Sequence, residues 1–332
     1  MASDLIGAVG AGRMGRGIVL AMALAGRSTV LIDIKPRPAG AFDKLRGEAL
    51  EDIARDLAFL VEVEALTAPA AEAALARIAV VSEKEAREAI GQCAFLFEGV
   101  PETVEAKRDC FAFVGPSLPA GCILASTTST MDADTLSEFA PDPALFLDTH
   151  WLNPAHLMPL IEVSPSARTS PETLRRTLDL FRSIGKVPVT CKASPGFIVS
   201  RIQALAMNEA ARLVEEGVAT AEDIDLAVRV GFGTRFSVLG LLEFIDWGGG
   251  DILYHASNFL SKAVAPRFEA PAIINENMRE GRRGLADGRG FYDFADVDIA
   301  AYRRERMRAF IGMLRVRDLM PRFAPEAVDP GM

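Results

Sequence analysis

Basic charge is in short supply. The 332 residues carry 36 Lys and Arg against 45 Asp and Glu, a formal net charge of −9, which speaks against nucleic acid as the main partner, because a phosphate backbone is bound through a surplus of cations. Long apolar runs are missing too. None approaches the ~18 to 20 residues that a membrane span requires, and no basic segment followed by an apolar one opens the chain, so a soluble, cytoplasmic protein with no membrane partner is expected. Cysteine is sparse: Cys93, Cys110, Cys122 and Cys191 form no C-x-x-C pair and have no metal-like spacing with the three histidines. Buried, reduced thiols are expected, and no structural metal.

What is present begins with apolar residues, half of the chain, enough for the cores of two domains. Leu5 to Val9 is a short apolar run, followed by Gly10-Ala11-Gly12-Arg13-Met14-Gly15 and a helical pattern from Ile18 to Leu24 that ends at Gly26. This order of strand, glycine turn and helix is the dinucleotide fingerprint G-x-G-x-x-G. Gly10 makes the tight turn, Gly12 lets a pyrophosphate approach and Gly15 lets the helix lie close on the strand. The helix N-terminus supplies N–H groups and partial positive charge. The next strand, Thr29 to Ile32, leads into Asp33, 23 residues beyond Gly10, where an acid binds adenosine ribose hydroxyls and repels a 2′-phosphate. NAD is therefore favoured over NADP, although Lys35 and Arg37 lie just beyond.

From Ala41 to about Glu64 a long helix is expected, with Phe42, Leu45, Ala49, Ile53, Leu57 and Leu60 on one side. Its distal half carries Glu48, Glu51, Asp52, Asp56, Glu62 and Glu64 against Arg55 alone, an acidic face read as solvated surface. Strands at Ala79 to Val81, Phe95 to Phe97 and Ile123 to Ala125 alternate with helices at Glu83 to Ile90 and Val104 to Phe113. The alternation describes a doubly wound parallel sheet covered by helices, whose ligand lies beyond the C-terminal strand ends. The loops there carry Glu98 to Glu102, with Lys107 a turn later, and the hydroxyl run Ser126 to Thr130. That run is either helix capping or, beside a nicotinamide, a set of donors for a substrate oxygen.

The stretch from His150 to Val163 follows an apolar strand (Ala144 to Leu147), turns at Asn153-Pro154 and enters a second apolar run that delivers Glu162. Two strands joined by a turn could place His150 beside Glu162, and an imidazole held by a carboxylate is the usual general base near neutral pH. A buried histidine ahead of a Pro-rich turn is the plainer alternative. A helix from Glu172 to Ile184 and a strand from Val187 to Thr190 follow, after which Ser194 is expected to cap a long helix with Pro195 in its first position and Ile198, Ile202, Leu205 and Ala206 on a core face. From there the pattern is helical. Arg235, in the Gly231 to Phe236 cluster, could present its planar fork to a carboxylate, or be a surface arginine at a helix junction. Ile299 to Leu314 reads as an amphipathic helix with a basic outer face, suited to docking or oligomer structure.

The glycine fingerprint with Met14, the Glu98 to Lys107 segment, Ser126 to Ser129, His150 with Asn153-Pro154 and Glu162, Pro195-Gly196-Phe197-Ile198 and Gly290-Phe291-Tyr292 together resemble the NAD-dependent L-3-hydroxyacyl-CoA dehydrogenases and their lambda-crystallin-like relatives. The resemblance runs from about residue 4 to residue 294. A Rossmann-type NAD-binding domain is expected over 1–193 and an all-helical substrate and dimerisation domain over 194–294; residues 295–332 lie beyond the family's usual end, and their own pattern gives a helical C-terminal extension. By the same resemblance His150 would take the proton of a 3-hydroxyl while hydride leaves its carbon for NAD, and Glu162 would orient His150. Ser129 would hydrogen-bond the reacting oxygen, Asn153 would help fix the site, and Glu102 and Lys107 would lie near the nicotinamide ribose. A homodimer through the helical domain is implied.

The chain departs from the family in three places. Ser200 replaces a common substrate-facing Asn, the long second helix is acidic where thioester-binding relatives are basic, and Arg235 sits where relatives that oxidise free hydroxy acids carry a basic residue. The expected function is oxidation of an L-3-hydroxyacyl substrate, with 3-hydroxyacyl-CoA as the nominal case. A free 3-hydroxy acid held by Arg235 is the alternative within this chemistry, and a non-catalytic NAD-binding protein the alternative outside it. Nothing structural requires His150, Glu162 and Ser129 together, which argues against the last.

Overall fold

A computed structural model describes residues 5–322, and their contacts divide into two compact units, one ending at Met207 and the other beginning at Asn208. The first unit runs β1 (Leu5–Val9), α1 (Arg13–Leu24), β2 (Thr29–Ile32), α2 (Ala41–Glu62), α3 (Ala68–Leu75), β3 (Ile78–Val81), α4 (Glu83–Ile90), β4 (Cys93–Glu98), α5 (Val104–Val114), β5 (Ile123–Ser126), α6 (Ala133–Ser137), β6 (Phe146–Trp151), β7 (Leu160–Pro165), α7 (Pro171–Ser183) and β8 (Val187–Thr190), and includes the start of α8 (Val199–Glu215). The strands form one sheet in the order β3-β2-β1-β4-β5-β6-β7-β8. Strands β1 to β6 are parallel, β7 reverses against β6, and β8 runs parallel to β7. The sheet is thus Rossmann-like and mostly parallel, with a reversed pair at one edge.

Alternation along each strand sorts the core into two layers. Ile6, Ala8, Leu31, Phe97, Ala125, Leu147, Trp151 and Val163 point to the side covered by α1, α2 and α7. Val9, Val30, Leu96, Leu124 and Phe146 point to the side covered by α4, α5 and α6. Phe97, Trp151 and Phe181 interlock on the first side with ring centroids 5.4 to 6.1 Å apart. By parity Glu98, Ser126, Asp148, His150, Glu162 and Ser164 belong to the second side, where the chemistry gathers.

Several expected elements shift. The strand expected at Ala144 to Leu147 begins at Phe146 and continues to Trp151, so His150 lies within it, and Pro143–Leu145 is a 3-10 turn. The long helix closes at Glu62 and is followed by α3, which the smooth apolar spacing did not announce. Ser194 and Pro195 do not open α8. Gly196 (φ 76°) and Phe197 (φ 49°) are left-handed, and the helix starts at Val199. Nor is its apolar face a core face within the chain, since Ile198, Ile202 and Leu205 are exposed. Cys93, Cys110 and Cys122 are buried and free, whereas Cys191 is only half-buried. Burial pushes the Cys93 and Cys122 thiols up to about 12.

The second unit continues with α9 (Ala221–Ala227), α10 (Gly233–Phe236), α11 (Leu241–Gly248), α12 (Gly250–Ala263), α13 (Ala272–Arg279) and α14 (Ile299–Val316), and no strand occurs among its described residues. A π-turn at Val228–Phe232 joins α9 to α10. Asp246 accepts the backbone N–H groups of Phe291 (3.0 Å) and Tyr292 (2.8 Å), which accounts for the Gly290-Phe291-Tyr292 motif. Helix α14 docks through Arg306, whose Nε donates to Glu243 at 2.7 Å, and through the Tyr302 hydroxyl on the same carboxylate. No described helix is long and apolar enough to cross a membrane.

Candidate active site

The glycine turn is built by close approach. Gly10 (φ 101°) donates to the Ile32 carbonyl at 2.9 Å, and a Cβ on it would meet the Gly99 carbonyl oxygen at 2.6 Å. A Cβ on Gly15 would lie 2.0 Å from the Gly10 oxygen, so any side chain there would force α1 off β1. Gly12 differs: it precedes α1 with no side-chain cap, and nothing lies within 4 Å of the place a Cβ would occupy. An uncapped helix N-terminus beside open space fits a dinucleotide pyrophosphate. Met14 packs half-buried on the first core layer, while Arg13 is exposed and unpaired among the described residues.

Asp33 follows β2 directly and is buried, 3 % exposed. Arg37 holds both of its oxygens, by Nε to Oδ2 and by Nη2 to Oδ1 at 3.1 Å. At the ends of β4 and β5 lies a buried polar cluster. Lys107, 1 % exposed, donates to Glu98 Oε1 (3.1 Å) and Oε2 (3.0 Å) and lies 3.3 Å from Glu102 Oε2. Ser126 Oγ donates to Glu98 at 2.6 Å. Glu102 gathers the hydroxyl run, accepting from the Thr128 hydroxyl, from Ser129 N (2.9 Å) and from Thr130 N (3.2 Å) and Oγ1 (3.0 Å). Burial alone would push the Glu102 carboxyl up, but the Thr128 hydroxyl, the Lys107 charge and the Ser129 and Thr130 donors together hold it below its usual range. The run therefore does hydrogen-bond locally, and the Ser129 hydroxyl is left without a partner among the described residues.

One pleat further, β6 and β7 pair in antiparallel register with His150 directly opposite Glu162. Nδ1 lies 2.6 Å from Glu162 Oε2 in a buried setting, the two residues being 6 % and 1 % exposed. The other oxygen, Oε1, accepts Ile198 N (2.8 Å) and Val199 N (3.0 Å) at the start of α8. A carboxylate can only accept, so Nδ1 carries a proton, and in the neutral ring Nε2 is left with its lone pair. Phe197 stacks on the imidazole, centroids 5.1 Å apart at 25°. The left-handed turn expected to be helix thus puts a ring over His150 and two N–H groups on its carboxylate. Gly196 N donates to Thr130 O at 3.1 Å, tying that turn to the Ser129 loop.

Other expected residues stand apart. Asn153 is exposed, makes no hydrogen bond with His150, Glu162 or Ser129, and lines a cavity of about 710 Å³ with Arg13, Arg16 and Asp52. Ser200 sits half-exposed in the first turn of α8 without a side-chain partner among the described residues. Arg235, in the second unit, donates from Nε to Gly231 O at 3.2 Å and stacks over Phe244 at 5.1 Å.

Sequence reasoning missed Asp148. It is fully buried, neither oxygen has a partner among the described residues, and its cross-strand neighbour Ser164 is likewise unpaired. Burial holds its carboxyl well above the usual range despite the pull of Lys107, with Glu98, Asp132 and Glu102 adding to the rise. The signal was an acid within an apolar strand, two residues before His150 and therefore on the same face.

A Rossmann-like sheet with an open helix N-terminus and an acid after its second strand, followed by a helical unit, defines an NAD-dependent dehydrogenase. The chain belongs to the 3-hydroxyacyl-CoA dehydrogenase family: residues 5–194 match its NAD binding domain and residues 196–294 its C-terminal domain. It is 28 % identical over 312 residues to 5-formyl-3-hydroxy-2-methylpyridine 4-carboxylate 5-dehydrogenase of Mesorhizobium japonicum, covering 94 % of this chain and 97 % of that one. It is 31 % identical over 289 residues to a probable 3-hydroxybutyryl-CoA dehydrogenase of Deinococcus radiodurans, covering 87 % and 99 %. The crystal structure of a 3-hydroxyacyl-CoA dehydrogenase from Archaeoglobus fulgidus superposes with a TM-score of 0.72 at 29 % identity, covering 96 % of this chain and all of that one.

Proposed function

We propose that the chain oxidises the 3-hydroxyl of an L-3-hydroxyacyl substrate, nominally a 3-hydroxyacyl-CoA, in the cytoplasm. The observation that carries this is the His150–Glu162 pair, with Nδ1 held at 2.6 Å and Nε2 free to accept a proton. His150 Nε2 takes the hydroxyl proton, and Glu162, fixed by two backbone N–H groups, stabilises the imidazolium. The Ser129 hydroxyl donates to the reacting oxygen and Ser200 borders the substrate, while Asn153, which bonds none of His150, Glu162 and Ser129, serves the site only through the turn that leaves β6. A bound NAD would supply the hydride acceptor for the carbinol carbon, whose oxidation leaves a ketone. Gly10, Gly12, Arg13, Met14, Gly15 and Asp33 would hold the dinucleotide, with Glu102 and Lys107 near its nicotinamide ribose.

We assign residues 1–193 to the cofactor domain, 194–294 to the helical domain and 295–332 to an extension. A homodimer forms through the helical domain, as the exposed Ile202, Leu205 and Met207 along α8 suggest. A second reading keeps the chemistry but places a free carboxylate on Arg235. It is supported by that residue's terminal guanidinium nitrogens, which bond nothing among the described residues, and by the apolar cavity beside them, lined by Val238, Leu239, Phe244 and Trp247. The Mesorhizobium relative is named for a carboxylate substrate. A panel of L-3-hydroxybutyryl-CoA, free 3-hydroxybutyrate, L-gulonate and L-carnitine, followed by NADH absorbance, separates them. Turnover of the thioester alone overturns the Arg235 reading, turnover of free acids alone overturns the thioester, and turnover of none with NADH bound leaves a non-catalytic NAD-binding protein.

A further inference from the structure

The acid that should receive the adenosine ribose is already occupied. Arg37 holds both oxygens of Asp33, and where Asp33 is buried Arg37 keeps a side-chain exposure of 29 %. Arg37 borders a cavity of about 370 Å³ between the β2–α2 loop and the start of α4, which Lys35, Ser82, Glu83 and Lys84 also line. Three cations and one acid therefore line the space into which Arg37 opens from Asp33. A lone buried carboxylate there would repel a 2′-phosphate. A carboxylate neutralised by a partly exposed guanidinium does not, because the same fork can turn from Asp33 to the phosphate and bind it through two parallel N–H donors. Arg37 is free to do so: apart from Asp33, it has no partner among the described residues.

We infer that Arg37 makes this chain accept NADP as a second cofactor, by screening Asp33 when the ribose is unmodified and pairing with the 2′-phosphate when it is not. This rests on the NAD site described above and adds a cofactor to it. Discrimination then resides in the Asp33–Arg37 pair, and Lys35 and Lys84 contribute longer-range attraction that salt screens.

The test is equilibrium titration of the full-length protein with NADH and with NADPH by nucleotide fluorescence, which needs no knowledge of the substrate. The wild type should bind NADPH within about thirtyfold of NADH. Arg37→Ala should weaken NADPH at least tenfold while changing NADH less than threefold, and Arg37→Lys should restore part of the loss. NADPH affinity should also fall more steeply with salt than NADH affinity. Undetectable NADPH binding with NADH intact overturns the inference and leaves the NAD site standing. An equal loss of both nucleotides in Arg37→Ala, with the melting temperature preserved, overturns it as well, because Arg37 would then serve the site without selecting. Failure of the wild type to bind NADH removes the dinucleotide site itself.

Discussion

Glu162→Gln probes the His150 base through its partner. The carboxylate accepts three N–H groups, Nδ1 at 2.6 Å and the backbone of Ile198 and Val199 at 2.8 and 3.0 Å. A glutamine can keep its oxygen on the two backbone donors, but its amide nitrogen then faces Nδ1. Nδ1 must become the acceptor, the ring proton moves to Nε2, and the nitrogen that should take the substrate proton is blocked. The equivalent change in a Ser–His–Asp triad costs about 10⁴ in kcat by this tautomer effect. We expect a fall of about 10³ to 10⁴ here, or roughly 4 to 5.5 kcal/mol at about 1.4 kcal/mol per decade. Stability should suffer far less, since one charge-assisted hydrogen bond is worth about 1.5 to 3 kcal/mol. The assay is NADH formation on the substrate that the panel returns, with NADH binding measured in parallel. A kcat within threefold of wild type would refute the tautomer argument, and so would a matching loss of NADH affinity.

Three further expectations concern single side chains. Lys107→Met should destabilise the cofactor domain by about 3 to 5 kcal/mol, because the fully buried Glu98 loses its cation and keeps only the Ser126 hydroxyl and the Val100 N–H; thermal melting checks this, and an unchanged midpoint contradicts it. Asp148 has its carboxyl held well above the ordinary range by burial, so the folded chain keeps a proton that the unfolded chain releases near pH 4. Its contribution to stability therefore falls as pH rises from there toward the folded value, and Asp148→Asn should lack that slope. Its melting temperature relative to wild type should climb with pH, and a constant difference between about pH 5 and 8 would count against a buried neutral acid. Arg235→Ala should raise KM for a free hydroxy acid by tenfold or more and leave a thioester nearly unaffected; equal effects on both would take the carboxylate off Arg235.

The parts of the molecule that repeat a simple period were readable in advance. Leu5–Val9, Thr29–Ile32 and Val187–Thr190 stand where apolar runs ended at glycine, acid or turn residues, and the Gly10 to Gly15 turn follows from steric contacts that any such strand and helix must make. The cross-strand placement of His150 on Glu162 was legible because a turn at Asn153-Pro154 separates two apolar runs. What was not legible depends on tertiary contact. The Pro195-Gly196-Phe197 segment looks like a capped helix start, yet Gly196 and Phe197 are left-handed, so that Phe197 reaches His150 and the next two N–H groups reach Glu162. Asp148 broke an apolar pattern, and only the register with Ser126 and Ser164 reveals that it belongs to a polar row across the sheet. Arg37 was visible as a nearby cation, but its grip on both oxygens of Asp33 has no sequence signature.

The central claim is that His150 acts on the substrate and not on the cofactor. Its most direct test is His150→Gln, measured by steady-state turnover and by NADH titration on the same preparation. We expect kcat to fall by about 10² to 10⁴ while NADH affinity stays within about threefold of wild type. Turnover near the wild-type rate would contradict it, as would a loss of NADH binding in proportion to the loss of activity.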